Sequence, residues 1–414
     1  MTSLKKLIAG VAVSLPLAAS AQQAAAPAPL YQIYGTLNLN YQYVEASKPT
    51  PAGANVTGRV GPSTDSTNFG IKGLADVGQF GLSVVYQCET QANLDGINTS
   101  GICSRNSRLG LTSAYGTLFY GNWDTPYKSA WYGTKADDAF GNTDIYNATA
   151  LMGHPGFKQK GSPGALNATA PTKSATFEVR APNSLAYWSP DIMGLTFKVQ
   201  YVANEFASVN GKLAPTLLSA GVNYNKGPLS VLAAAERHDD WFGLDVIQGS
   251  NPSATSKNTT DMAYKFGAGY ELGSSFGTTS VGAVWEYLSF KYQHNAGLVT
   301  DDLKEANRQA VMINARHRTG NHEFRARYEY ADNGDCKLIG GAKCNDDIGM
   351  GAQNYALGYA YYLSKAAQVY AYWTKIENER GASYTFTSGG PAALANAGVG
   401  ADPMGLGLGL RYAF

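Results

Sequence analysis

The sequence predicts an all-β chain, a 16-stranded antiparallel transmembrane β-barrel with long extracellular loops. Three observations predict it. Apolar residues recur at period two to the last residue, the connections alternate between short turns and long polar segments, and strand charges fall on the face opposite the apolar set.

Composition narrows the alternatives. Of 414 residues, 44% are apolar, 12% aromatic and 15% charged, with 47 Gly, 27 Tyr and 4 Cys, a mixture suited to short strands, tight turns and aromatic belts. Beyond the N-terminus no run of 18 apolar residues supports a spanning helix. Balanced charge, 32 Lys+Arg against 31 Asp+Glu, and plentiful aromatics argue against disorder. A net charge of +1 supplies no field to draw in nucleic acid, so no such partner is expected.

Taken in order, residues 1–21 carry Lys5 and Lys6, an apolar stretch from Leu7 to Leu17 and the small-residue site Ala19-Ser20-Ala21, which reads as a secretory signal peptide. Residues 22–29, rich in Ala and Pro, read as a short spacer, and residues 30–414 as the barrel domain. Export permits disulfides. Cys88 and Cys103 bracket one polar stretch and Cys336 and Cys344 another, so two local staples are the simplest of three connectivities. No C-x-x-C spacing supports zinc or redox chemistry.

The alternation is regular in Leu218, Ala220, Val222 and Tyr224, and again in Tyr355, Leu357, Tyr359, Tyr361 and Leu363. At the end Leu406, Leu408, Leu410, Tyr412 and Phe414 alternate with Gly405, Gly407, Gly409, Arg411 and Ala413. Short turns are expected at 76–79, 114–116, 226–228, 273–276, 320–321 and 364–365. Long loops are expected at 47–64, 92–103, 124–180, 205–214, 239–259, 293–305, 334–350 and 379–402, and eight such loops imply eight hairpins. Lys72, Glu236, Lys265, Glu271, Arg316, Arg318, Arg325, Arg327, Glu329 and Arg411 all lie opposite the apolar parity. Unpaired charge in a packed core is costly, whereas a water-filled lumen with lipid outside removes the conflict. Arg316, Arg318, Arg325, Arg327 and Glu329 are therefore expected on the lumen wall.

Across nearly the whole chain the sequence resembles a Gram-negative trimeric general porin of the beta-proteobacterial type. The stretches that carry the resemblance are FGIKG (Phe69 to Gly73), YQCETQANLDG (Tyr86 to Gly96), RNSRLGL (Arg105 to Leu111), YGTLFYGNWDTPY (Tyr115 to Tyr127) and RAPNSLAYWSP (Arg180 to Pro190). The resemblance implies an outer-membrane homotrimer, a water-filled channel for passive diffusion of ions and small hydrophilic solutes, and a third loop folded into the pore. It also implies that Phe414 is the aromatic C-terminus read by the barrel-assembly machinery, and it adds outer-membrane lipid and lipopolysaccharide as partners.

In this family a ladder of arginines faces an acidic inward loop. Here the loop is the longest, from Asp124 to about Val179, and Asp124, Asp137, Asp138 and Asp144 are its expected acidic side. The expected basic or polar wall is Arg180, Lys72 and Arg108 with Asn68 and Asn122, the last two standing where the family has arginine. With rungs missing, anion selectivity should be weak. Trp123, Tyr127, Trp131 and Tyr132 cluster at the loop entrance, either to meet aromatic or organic-acid solutes or to anchor the loop.

No enzymatic role, cofactor or metal is expected. Gly273-Ser274-Ser275-Phe276-Gly277 matches the nucleophile-elbow pattern but lies between two strand patterns, not before a helix. The five histidines have no ligand spacing. Asp239-Asp240, Asp301-Asp302 and Asp346-Asp347 read as solvated loop charge, with Ca²⁺ binding the alternative. The rival class, an exported soluble lectin or glycosidase, leaves the inward charges unexplained.

Overall fold

The computed structural model describes residues 31–47, 56–64, 66–92, 94, 101–140, 150–156, 176–203, 215–240, 259–292, 303–338, 340–341, 343, 349–386 and 400–414. The expected signal peptide and spacer, Asp144, Cys344 and the pairs Asp301-Asp302 and Asp346-Asp347 lie outside the described residues.

The strand segments are β1 (Gln32–Ser47), β2 (Val56–Ser63), β3 (Asn68–Asp76), β4 (Ser83–Gln91), β5 (Ser107–Ser113), β6 (Gly116–Asp124), β7 (Arg180–Trp188), β8 (Leu195–Val202) and β9 (Thr216–Lys226). They continue as β10 (Leu229–Asp239), β11 (Thr259–Ser274), β12 (Gly277–Tyr292), β13 (Leu303–Thr319), β14 (His322–Ala331), β15 (Asp335–Leu338), β16 (Ala352–Tyr362), β17 (Ala367–Asn378) and β18 (Asp402–Ala413). β2 and β3 both pair with β1, one along Asn40–Ala46 and the other along Gln32–Thr36, so they are two pieces of one barrel strand. β14 and β15 divide β13 in the same way. Sixteen antiparallel barrel strands result, as the loop count predicts. β18 pairs with β1 from Thr36↔Ala413 to Ser47↔Asp402, which closes the sheet and removes its edges.

Three connections differ from expectation, the first being that β15 lies inside the segment expected as loop 334–350, where it extends the pairing along β13. β2 lies inside the segment expected as loop 47–64, because its backbone extends the pairing along β1. A seventh short turn, absent from the sequence reading, joins β7 to β8, where Gly194 takes φ +98° and its amide bonds the Asp191 carboxylate at 2.6 Å. The Ser274–Gly277 connection is a hairpin turn between β11 and β12, so the Gly273 to Gly277 pattern has no helix to present a nucleophile.

The pleat sorts the side chains. One face of each strand is exposed and apolar, as in Leu109 and Leu111 on β5, Phe266 on β11, Leu357 on β16 and Leu408 (66% exposed) on β18. Such a continuous apolar girdle exceeds what a soluble monomer tolerates and requires a lipid solvent. The opposite face buries Lys265, Glu286, Arg327 and Glu329. On β6 the parity is settled by Tyr120 facing out (54% exposed) and Phe119 facing in (1% exposed). The last residue takes part in closure: the amides of Gly35 and Phe414 each donate to the other's carbonyl at 3.0 Å. Cys88 and Cys103 form a disulfide, the local staple expected from their spacing. Cys336 is also disulfide-bonded.

Candidate functional site

The chain between β6 and β7 folds into the barrel. At its neck the amide of Thr125 bonds the carbonyl of Val179 at 3.1 Å, and successive tight turns carry residues 125–140 across the inner wall. The wall is shaped to receive them. A Cβ on Gly269 would come 2.3 Å from the Lys135 carbonyl carbon, and one on Gly282 would come 2.5 Å from Ala136 Cα. Glycine at these two inward positions lets the loop backbone lie on the strands.

Polar contacts lock the loop in place. Glu286 on β12 accepts from the Tyr127 hydroxyl and from the Gly153 amide (2.7 Å), and pairs with Arg308 of β13 at 2.9 Å. Arg308 also donates to the carbonyls of His154 and Leu151 at 2.7 and 2.6 Å. Lys265 of β11 pairs with Glu178 at 3.3 Å and sits 4.2 and 3.7 Å from the ring centres of Tyr127 and Trp131. Arg327 of β14 reaches both oxygens of Asp138, at 2.9 and 3.0 Å. Tyr127, Trp131, Phe140, Leu151, Met152 and Phe177 meet apolar strand residues such as Val284, Leu288 and Met312 in one buried cluster. The barrel thus contains a packed core beneath the loop, which meets the strands from β9 to β16 and extends to residues of β1, β7, β8 and β17.

The arc from β1 to β8 is built differently. Lys72 stands 4.6 Å from the Tyr34 ring centre, and the Tyr34 hydroxyl donates to Glu89, which Arg105 holds at 2.7 Å. Arg108 faces the rings of Phe119, Trp123 and Trp188 at 5.1, 4.6 and 4.8 Å, and Lys198 lies 5.0 Å from the Trp188 ring centre. Among the described residues no carboxylate pairs with Lys72, Arg108 or Lys198.

Against this geometry the expected site residues separate. Arg180 and Asp124, expected on facing sides of a gap, are neighbours: they pair at 3.3 Å across the β6–β7 register, with Asn106 bonded to both and Lys128 pairing with Asp124 at 3.1 Å. The expectation of opposed walls is corrected here, because the loop's two ends must meet where it leaves the barrel. Asp138 is consumed by Arg327, which leaves Asp137, held by the Gly133 amide at 2.8 Å, as the half-exposed loop acid. Asn68 donates to the Ser66 carbonyl; Asn122 lies on the parity of outward Tyr120 and donates to the carbonyls of Ser104 and Arg105, so its expected place on the pore wall is corrected. Of the four loop rings Tyr127 and Trp131 are buried in the cluster that anchors the loop, Trp123 is buried apart from it against Phe119 and Trp188, and Tyr132 is exposed. Arg316 reaches the Asp138 carbonyl at 3.3 Å, Arg325 pairs with Glu323 at 2.6 Å, Arg318 lies 4.0 Å from the Tyr362 ring centre, and Glu329 is buried beside Arg327 at 3.5 Å.

Sequence reasoning did not single out Glu286, Arg308, Glu178, Trp188 or Lys198. Glu286 shares its parity with Val284 and Leu288, so the alternation there offers no clean polar face. Burial also shifts the loop's titrating groups. It pushes Asp137 up to about 6 and Glu178 up to about 7, the latter against the opposing pull of Lys265. It pushes His154 down to about 4, with Arg308 adding to the effect.

Comparison with known proteins gives a consistent picture. The family model described as Gram-negative porin matches residues 9–381. Among solved structures, the anion-selective porin from Comamonas acidovorans is 19% identical, with 93% of this chain and 99% of that chain covered at a TM-score of 0.68. A loop L8 deletion mutant of OmpT, an outer membrane protein of Vibrio cholerae, is 18% identical over 93% of this chain and 99% of that chain, at a TM-score of 0.58. No curated protein matches the sequence.

Proposed function

This chain belongs to the Gram-negative porin family, and on that premise we propose that its passage is narrowed by the docked loop on one arc and a thinned basic wall on the other, giving weak charge preference. The protein is a bacterial outer-membrane channel for passive diffusion of ions and small hydrophilic solutes. The observation that carries the proposed narrowing is the loop lying inside the closed barrel, held by Glu286, Lys265 and Arg327. Loop acids on that side are largely neutralised by wall cations, while Lys72, Arg108 and Lys198 on the other side keep unneutralised positive charge. A residual preference for anions follows, reduced by asparagine at position 68, on the inward parity of Lys72. Anion selectivity is what the Comamonas relative is named for.

The apolar girdle supports contact with lipid and, on part of its circumference, with two further copies of the chain as a homotrimer. Lipopolysaccharide around the rim and the assembly machinery acting on Phe414 belong to the same proposal. A solute-preferring channel remains a second reading, favoured by the cations held over aromatic rings.

The test is single-channel recording with a reversal potential under a KCl gradient. Conductance steps in groups of three with a small anion-favouring potential are expected. Folded protein without conductance, or a strong cation preference, would contradict the proposal.

A further inference from the structure

We infer that the wall opposite the docked loop carries a solute subsite made of Arg108, Trp188 and Lys198 over a floor of Phe119 and Trp123, and that it takes a small carboxylate with an aromatic body. The inference rests on the channel reading and deepens it.

Consecutive strands build the subsite. Trp188 of β7 lies in register with Thr117 of β6 and Lys198 of β8, Phe119 with Ala186, and Arg108 of β5 with Gly121. Inward alternation therefore sets a cation, three rings and a second cation side by side. The rings of Phe119, Trp123 and Trp188 meet edge to face with centres 5.0 to 5.4 Å apart, a three-sided socket around the Arg108 guanidinium. Glycine at 110 lets Phe119 take its place in the floor, since a Cβ there would come 2.4 Å from that of Phe119.

The charge balance points to a ligand. On the β9–β16 arc the buried cations Lys265, Arg308 and Arg327 each meet a carboxylate. Arg108 and Lys198 meet none among the described residues, and Arg108 Nε is buried without a hydrogen-bond partner. Two cations sharing one indole repel each other, so an anion from the lumen is the missing component. The three ring centres lie 4.6 to 5.1 Å from the guanidinium carbon, and the two terminal nitrogens make no hydrogen bond to the described residues, so their fork is left for two carboxylate oxygens. The half-buried Trp188 supplies an apolar surface beside that fork. A halide uses only the charge and a short aliphatic acid only the fork, whereas an aryl carboxylate uses both.

The test uses the purified full-length channel in a planar bilayer with benzoate and acetate as probes in KCl. Benzoate should reduce open-channel current at concentrations roughly tenfold lower than acetate. Arg108→Gln should abolish the benzoate effect and Arg108→Lys retain part of it. Trp188→Leu should bring benzoate to the level of acetate, with native folding of each variant checked by the gel migration of the unheated barrel. Equal responses to the two acids in the native channel, or a benzoate response untouched by Arg108→Gln, would overturn the subsite and leave the channel intact. Absence of KCl conductance from folded native protein would overturn the channel reading itself.

Discussion

The two arcs of the inner wall handle interior charge in opposite ways. From β9 to β16 the wall is covered by the loop, and its charges are buried in matched pairs: Glu286 with Arg308, Lys265 with Glu178, Arg327 with Asp138. From β1 to β8 no loop segment of comparable extent covers the wall among the described residues, and Lys72, Arg108 and Lys198 face aromatic rings with no carboxylate partner. The contrast teaches where function resides. Burying an ion pair costs desolvation, so the covered arc uses its charges for positioning. The open arc leaves its cations to act on whatever passes.

The largest way to break this contrast is to remove Glu286. Glu286→Ala deletes the acceptor for Tyr127 and Gly153 and strands Arg308 in a buried site. Breaking one side of such a buried pair costs about 3–5 kcal/mol. The loop should then leave the wall, seen as larger single-channel conductance and noisier open states. Unaltered conductance would mean that the apolar cluster alone holds the loop.

A smaller disturbance presses on the same arc without touching charge. Gly282→Ala places a methyl 2.5 Å from Ala136 Cα, an overpacking of about 1–3 kcal/mol that the loop backbone must relieve by moving. Conductance should change less than in Glu286→Ala, and ion selectivity should be preserved. A selectivity change as large as that from a charge substitution would show that the two arcs are not independent.

The open arc is sharpened by restoring its missing charge. Asn68→Arg should increase anion preference, read as a shift of the reversal potential at low salt that shrinks at high salt as screening grows. The inward position of Asn68, in register with Thr36 and on the parity of Lys72, is the basis. Arg180→Ala should lower anion preference only modestly, because Arg180 already shares Asp124 with Lys128.

The same contrast explains what could be read from the sequence. Barrel and strand number were legible because lipid imposes alternation on the outer face of the strands, whereas the closing bonds between Gly35 and Phe414 were not. The inward identities of Lys265, Arg316 and Arg327 followed from the same parity. The loop's docking was not legible in detail, because Val284, Leu288 and Met312 are apolar on the inner face where the loop covers them, and this blurs the period around Glu286 and Arg308. The partnership of Arg180 with Asp124 depends on residues 56 apart meeting at the loop's neck, which no local pattern encodes.

The subtlest effect separates the arcs by pH. Burial raises Asp137 to about 6 and Glu178 to about 7, so the docked loop holds protons that an extended loop would release. The sign follows: these two acids favour docking most below the ordinary carboxylate range, and that contribution is lost as pH rises through 6 to 7. Over the same window the loop gains negative charge, so anion preference should fall between pH 5 and pH 8. Asp137 should contribute more, since it is half-exposed, whereas Glu178 ionises against Lys265 at 3.3 Å. Glu178→Gln should remove the upper part of the transition and leave the part near pH 6. Reversal potentials taken across this range at low salt would decide the matter, and a pH-independent potential would place both acids outside the conducting path.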